Sequence, residues 1–255
     1  METNENGRRV EAAQTTFLLL ETLKEADGLR LTEVANELDI AKSTAHRYLQ
    51  TLLSQRYVVK EGNTYYVSLR FLDLGEYARN RKDGYRMAKQ KVEELAAETD
   101  ERAQFIVEEF GQAVYVHRKA GSHAVETDPG IGKRIDLHAT AAGKAILANW
   151  SDERIQGFVD EYGLPTHTSR TITDSETLMN EMETIREQGY SVNIQENIKG
   201  LRAVGVAFCD PDDRPIGALS VSGPTNRMRN DWFEDDLPNL LMGMTNELEL
   251  NLRYS

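Results

Sequence analysis

LTEVANELDIAKSTAHRYLQTLLSQRYVVKEGNTYYV, residues 31–67, carries the pattern that decides the N-terminal fold. Residues 31–38 read as a short helix, with Thr32 placed to accept a first-turn amide as its N-cap. Residues 39–41 turn. From 42 to 55, Ala45, Tyr48, Leu49, Leu52 and Leu53 share one side at helical spacing. Ser43, Arg47, Gln50 and Ser54 share the other, flanked by Thr44, His46 and Thr51. Residues 57–60 and 64–67 are β-rich and Glu61-Gly62-Asn63 can turn between them, which predicts a hairpin. Upstream, Val10, Ala13, Phe17, Leu20 and Leu23 recur near the 3.6 period until Gly28, predicting a helix over 10–26. Three helices, the second short, then a hairpin is the order of a winged helix-turn-helix. The second helix of that motif enters the major groove of DNA.

Charge points to the same segment. The 255 residues hold 42 acidic and 30 basic side chains, a net charge of −12. That balance argues against a non-specific coat on nucleic acid. Residues 1–82 carry 12 of each sign, so all the excess acid lies in 83–255. Residues 40–60 contain Lys42, Arg47, Arg56 and Lys60 and no acid. A solvated helix face could carry the same charges. Here the acid-free helix is also the one that the motif aims at DNA. Abundant carboxylates with only 10 Lys against 20 Arg suit a salt-rich cytoplasm, and lead to the expectation of a halophilic archaeal source.

With 40% hydrophobic residues the chain can bury one large core or two small ones. No apolar run is long enough to span a bilayer, and METNENGRRVEAAQ lacks the apolar stretch of a secretory signal. The lone Cys209 excludes an intrachain disulfide. A cytoplasmic location is expected. Residues 71–82 read as a helix leaving the winged domain, with Asp83-Gly84 as a joint, and 86–99 as a further helix burying Val92, Leu95 and Ala96. The second domain mixes strands at 104–109, 113–119, 190–195, 201–208 and 215–222 with helices. Gly111 turns between the first two strands. The chain becomes helical after His138. Ser151 caps a helix at 152–162, and Ser175 caps one at 176–188 that Gly189 stops. A helix over 231–252 closes the chain. The fold class expected is α+β: a winged helix-turn-helix over 1–70, a linking helix over 71–84, and an α+β domain with a mainly antiparallel sheet over 85–255.

Four stretches carry a family resemblance: AKSTAHRYLQTL (41–52), GKRIDLHATAAGKAILA (132–148), GYSVNIQENIKGLRAVGVAF (189–208) and PIGALSVSGPTNRM (215–228). Together and in this order they resemble the IclR-type transcription regulators, over roughly residues 11–252. The resemblance implies a winged DNA-binding domain and a GAF-like effector domain that takes up a small organic molecule, often an acid. It also implies a homodimer or a dimer of dimers on a double-stranded DNA operator.

Lys42, Ser43 and Thr44 stand at the start of the recognition helix, where free amides and the helix dipole favour phosphate. Arg47 can pair bidentately with a guanine edge, and His46, Gln50 and Thr51 are within reach of bases. Lys60 and Asn63 belong to the wing, which in the family touches the backbone or minor groove. For the effector, the resemblance assigns Ala141 and Ala142 as amide donors to a ligand carboxylate. It also assigns Ser220 and Ser222 as pocket hydroxyls, and Asn193 and Ala203 as two further pocket positions. Some relatives carry Asp and Cys at the last two. An Asn can donate where an Asp only accepts, which suits an acidic ligand.

Catalysis finds little support. His117, His123, His138 and His167 lack metal-ligand spacing, Cys209 reads as a small buried residue, and no GxSxG, HExxH or P-loop motif occurs. Gly130-Ile131-Gly132-Lys133 is too short for a phosphate loop. No cofactor, metal or membrane is expected. The alternative is a ligand-binding or enzymatic GAF-like protein whose winged domain docks protein.

Overall fold

The computed structural model describes residues 10–124 and 130–254. The chain divides into two compact units after Ala78.

In the first unit α1 (Glu11–Glu25), α2 (Leu31–Glu37) and α3 (Lys42–Ser54) precede the hairpin of β2 (Val58–Glu61) and β3 (Thr64–Val67). Leu19, Leu23, Val34, Ala45, Leu49, Leu52, Val58 and Tyr65 form its core. The inner face of α3 is therefore the one the sequence predicts. That of α1 is not: Leu19 and Leu23 are buried, while Val10 and Phe17 are exposed. Two apolar stripes overlap on this helix, and periodicity alone does not choose between them. Thr32 does not cap α2. The cap position is Arg30, whose amide donates to Glu33 Oε2 at 2.6 Å, so a side chain inside the first turn reaches back. A two-residue strand, β1 (Leu29–Arg30), adds to β3 and completes an antiparallel sheet of order β1-β3-β2. Two residues show no alternation, and the sequence reading misses it.

Helix α4 (Arg70–Asn80) runs across the division and α5 (Asp83–Thr99) follows it. The break falls at Arg81 and Lys82, so Asp83-Gly84 is the first turn of α5 rather than a joint. Gly84 serves packing: a Cβ there would stand 3.0 Å from the Phe208 ring and 3.2 Å from Ile216. Val92, Leu95 and Ala96 are buried as expected.

The second unit is built on six antiparallel strands in the order β6-β5-β4-β9-β8-β7. They are β4 (Arg102–Glu109), β5 (Gln112–Ala120), β6 (Arg134–Asp136), β7 (Ser191–Ile194), β8 (Leu201–Cys209) and β9 (Pro215–Pro224). Phe110 and Gly111, both at positive φ, make the tight β4–β5 turn. One face of the sheet, with Phe105, Val204, Leu219 and Val221, packs on α5 and α9 (Leu237–Arg253). The other, with Ile106 and Ala218, packs against α6 (Ala141–Ala148), α7 (Asp152–Tyr162) and α8 (Ser175–Gln188).

Local corrections have local causes. Residues Leu137–Ala139 form a 3-10 turn, and α6 starts only after Thr140, whose Oγ1 accepts from Gly143 N at 3.0 Å. Ser151 caps α7 as predicted. Asp174, not Ser175, caps α8, accepting from Thr177 N at 2.8 Å. Two competent caps stand side by side there, and the carboxylate takes the position. The closing helix begins with a π turn over Trp232–Asp236 before α9. Strand β6 is three residues long and leaves no readable pattern in the sequence.

Candidate functional site

Helix α3 presents Lys42, Ser43, His46, Arg47, Gln50 and Thr51 to solvent, while Thr44 is half-buried. Burial of Ala45, Leu49 and Leu52 forces this division, because one apolar stripe holds the helix down and the opposite stripe points out. Ala41 precedes the helix and its carbonyl accepts from Thr44 N and Ala45 N. The first amides of α3 thus open onto the same exposed end that carries Lys42 and Ser43. Thr51 Oγ1 donates to Arg47 O at 2.9 Å, so its proton stays on its own helix and its oxygen and methyl face outward. On the wing, Lys60 lies over the Tyr65 ring, Nζ 5.3 Å from the centroid, and Asn63 is exposed beside Gly62 in the β2–β3 turn. Lys42, Arg47 and Lys60 are all exposed.

The second unit holds a cavity of about 250 Å³ lined by Ala141, Ala142, Asn193, Ala203, Ser220 and Ser222, all six positions read from the sequence. The sheet register explains the gathering. Asn193, Ala203, Ser222 and Arg102 lie opposite one another across β7, β8, β9 and β4. Ser191, Gly205, Ser220 and Gln104 form the next row. Ala207, Ala218, Ile106 and Tyr115 form the third. Alternate residues of a strand share a face, so three rows pave one floor. Polar groups occupy two rows and apolar ones the third.

The N-terminus of α6 sits on the middle row. Gly205 makes this possible: a Cβ there would stand 2.7 Å from Ala141 C and 2.8 Å from Ala142 N. Ser191 Oγ donates to Ala141 O at 2.5 Å and fastens the same turn from below. Gly143 N and Lys144 N are taken by Thr140, which leaves Ala141 and Ala142 as the first-turn residues at the cavity.

Asn193 lines the cavity and is also bonded to its wall. Its Nδ2 donates to Ala139 O and its Oδ1 accepts from Glu196 N at 3.1 Å. One of its two amide hydrogens therefore holds the turn before α6, and Asn193 also shapes the cavity wall.

Sequence reasoning misses Arg102, Gln104 and the support of the covering loop. Arg102, Gln104 and Ile106 alternate with Ala103 and Phe105, and that period of two was a legible signal. Gln104 Nε2 donates to Ser220 Oγ at 2.9 Å and to Ser222 Oγ at 3.3 Å. Burial keeps the Tyr115 hydroxyl a neutral phenol by raising its pKa. Asn197 and Ile198 line the cavity from the loop after β7, and Leu201 lines it from the start of β8. That loop hangs on Glu196, whose carboxylate meets the fully buried Lys144 Nζ at 2.8 Å. Lys144 also meets Glu181 of α8 at 2.6 Å. Thr171 Oγ1 donates to Glu196 O at 2.6 Å.

Burial, with Glu249, Asp213 and Asp210 nearby, pushes the Cys209 thiol up to about 12, which keeps it protonated and unreactive. It lines a separate cavity of about 450 Å³. His138 is buried and bonded to Pro165 O, and burial lowers its pKa. Its ring lies 6.2 Å from that of His167, which pairs with Asp136 at 2.7 Å. Among the described residues no group of three or more His, Cys, Asp or Glu is placed to hold a metal ion. No helix among them is long and apolar enough to cross a membrane.

Both parts of the chain match known proteins. Residues 12–62 match the IclR helix-turn-helix domain, and residues 79–245 match the bacterial transcriptional regulator IclR C-terminal domain. The chain is 32% identical to the probable HTH-type transcriptional regulator ArcR of Halobacterium salinarum, over 98% of this chain and 96% of that one. The crystal structure of the Thermotoga maritima IclR superposes with a TM-score of 0.83 at 24% identity, covering 96% of this chain and 99% of that one. An IclR homolog from Microbacterium hydrocarbonoxydans, crystallised with 4-hydroxybenzoate, superposes with a TM-score of 0.81 at 19% identity, covering 96% of this chain and all of the other.

Proposed function

The chain belongs to the IclR family of DNA-binding transcription regulators with a C-terminal effector-binding domain, and we propose that α3 reads the operator while the cavity beside α6 binds a small organic acid. In this reading residues 1–70 bind DNA, 71–84 link, and 85–255 bind effector. Lys42, Ser43 and Thr44 position the helix on phosphates. Arg47, His46, Gln50 and Thr51 meet base edges, and Lys60 and Asn63 touch the backbone from the wing. The observation that carries the DNA half is the acid-free outer face of α3, held outward by a buried apolar stripe.

For the effector half, the amides of Ala141 and Ala142 with the Ser220 and Ser222 hydroxyls make a donor-rich pocket suited to a carboxylate. Asn193 and Ala203 shape its wall. The protein acts as a regulator and not as an enzyme, in the cytoplasm, as a homodimer or dimer of dimers that sets two α3 helices on a near-palindromic site. The acidic second unit repels DNA and confines binding to the winged ends. The charge balance supports a halophilic origin, where counterion release contributes little and the salt slope of binding is shallow.

Selection of sheared source DNA by the purified protein in molar KCl tests this. A few enriched sites are expected. Uniform recovery of fragments at every salt concentration, with every acid added, would refute the operator reading.

A further inference from the structure

Resting on the reading of the α6 cavity as the effector pocket, we infer that Arg102 and Ser222 form a second anion anchor, so that the effector is a short dicarboxylate. The argument starts from hydrogen-bond polarity. Gln104 is 6% exposed and its amide N–H₂ donates to both serine oxygens. A hydroxyl that accepts from an amide keeps its own proton to give. Ser220 and Ser222 therefore present donors to the cavity. Arg102 is 5% exposed, shares the cavity floor and offers only donors, five in all, more than any one carboxylate can take. The first-turn amides of α6 are donors too. The polar floor thus asks for a ligand made of acceptors, and bonds from a guanidinium such as Arg102 to a carboxylate are charge-assisted.

Two positions for acceptors follow from the register. One is at Ser220 and Gly205, beneath the α6 amides. The other is at Ser222 and Arg102, two residues further along the strands. Two residues of a strand cover about 7 Å. A straight acid of four to six carbons with a carboxylate at each end spans that interval. Its methylenes cross the interval between these two rows, where Ala203 of the Ser222 row and Ile198 give the cavity apolar lining.

Glutarate and pentanoate are the probes, because they share chain length and differ in the second carboxylate. Isothermal titration of the full chain in molar KCl is expected to show glutarate bound at least about tenfold more tightly. Arg102→Gln should bring glutarate down to the pentanoate level and leave pentanoate unchanged. Gln104→Glu, whose carboxylate would take the serine protons, should weaken glutarate strongly. Operator binding by each variant reports that it is folded. Equal affinity of the two acids in the wild type would overturn the second anchor and leave the acid pocket standing. So would an Arg102→Gln variant that loses both acids equally. Binding of neither acid, nor of any member of the three- to seven-carbon mono- and dicarboxylate series, would overturn the pocket reading itself.

Discussion

Replacing Lys144 with methionine tests the architecture of the pocket more severely than any substitution on its surface. The side chain of Lys144 is 1% exposed and its ammonium lies 2.6 Å from Glu181 and 2.8 Å from Glu196. Glu196 is itself 8% exposed at the side chain. Methionine fills similar volume and removes the charge, so one buried carboxylate and one half-buried carboxylate lose their shared cation. Removing one partner of a buried pair costs about 3–5 kcal/mol. For a folding unit of this size each kcal/mol moves Tm by roughly 2–4 °C, which predicts a drop of about 6–20 °C for the second unit. Differential scanning calorimetry reads it. Because the Glu196 loop carries Asn197 and Ile198 at the cavity, ligand affinity should fall as well. Adding Glu196→Gln should recover part of the loss, since a neutral amide needs no cation. A Lys144→Met protein within about 1 kcal/mol of wild type would show that the ion triad is not what suspends the loop.

Three further outcomes follow from the geometry. Gly205→Ala places a methyl into the backbone of Ala141 and Ala142; it should cost about 1–3 kcal/mol and blunt any effector response, while operator affinity holds. His138 has a folded pKa below its ordinary 6.5 because it is buried. Its contribution is complete above about pH 6.5 and is lost as pH falls below that value, because the unfolded chain takes up the proton first. His138→Gln should therefore flatten stability against pH on the acid side of 6.5, and a curve parallel to wild type would contradict the assignment. Cys209, held at about 12, should react with thiol reagents at pH 8 far more slowly than a free cysteine, read by the rate of thiol labelling.

The sequence was legible where a periodic pattern is long or a motif is dense. The α3 stripe runs for 13 residues, and its buried and exposed sides are those the spacing predicts. The pocket positions were reached through three motif stretches, and the register shows why they meet: each supplies one row element or the helix end above it. What stayed hidden is set by tertiary partners. β1 exists because Tyr65 pairs with Leu29, and a two-residue strand has no pattern of its own. The buried side of α1 is chosen by β3 and α2, not by its own apolar count. Asn193 was reached by motif, but its bond to Ala139 O, a carbonyl 54 residues away, has no sign in the sequence. Arg102 lies on a strand whose alternation was readable, yet nothing local says that its face lines a cavity.

The most direct test of the central claim is the affinity of wild type and Arg47→Ala for one enriched operator fragment, read by fluorescence anisotropy in molar KCl. Each base pair of the half-site is changed in turn. The account predicts that Arg47→Ala binds about 5- to 150-fold more weakly and no longer distinguishes bases at one position of each half-site. Unchanged affinity with unchanged base preferences would mean that the outer face of α3 does not read DNA.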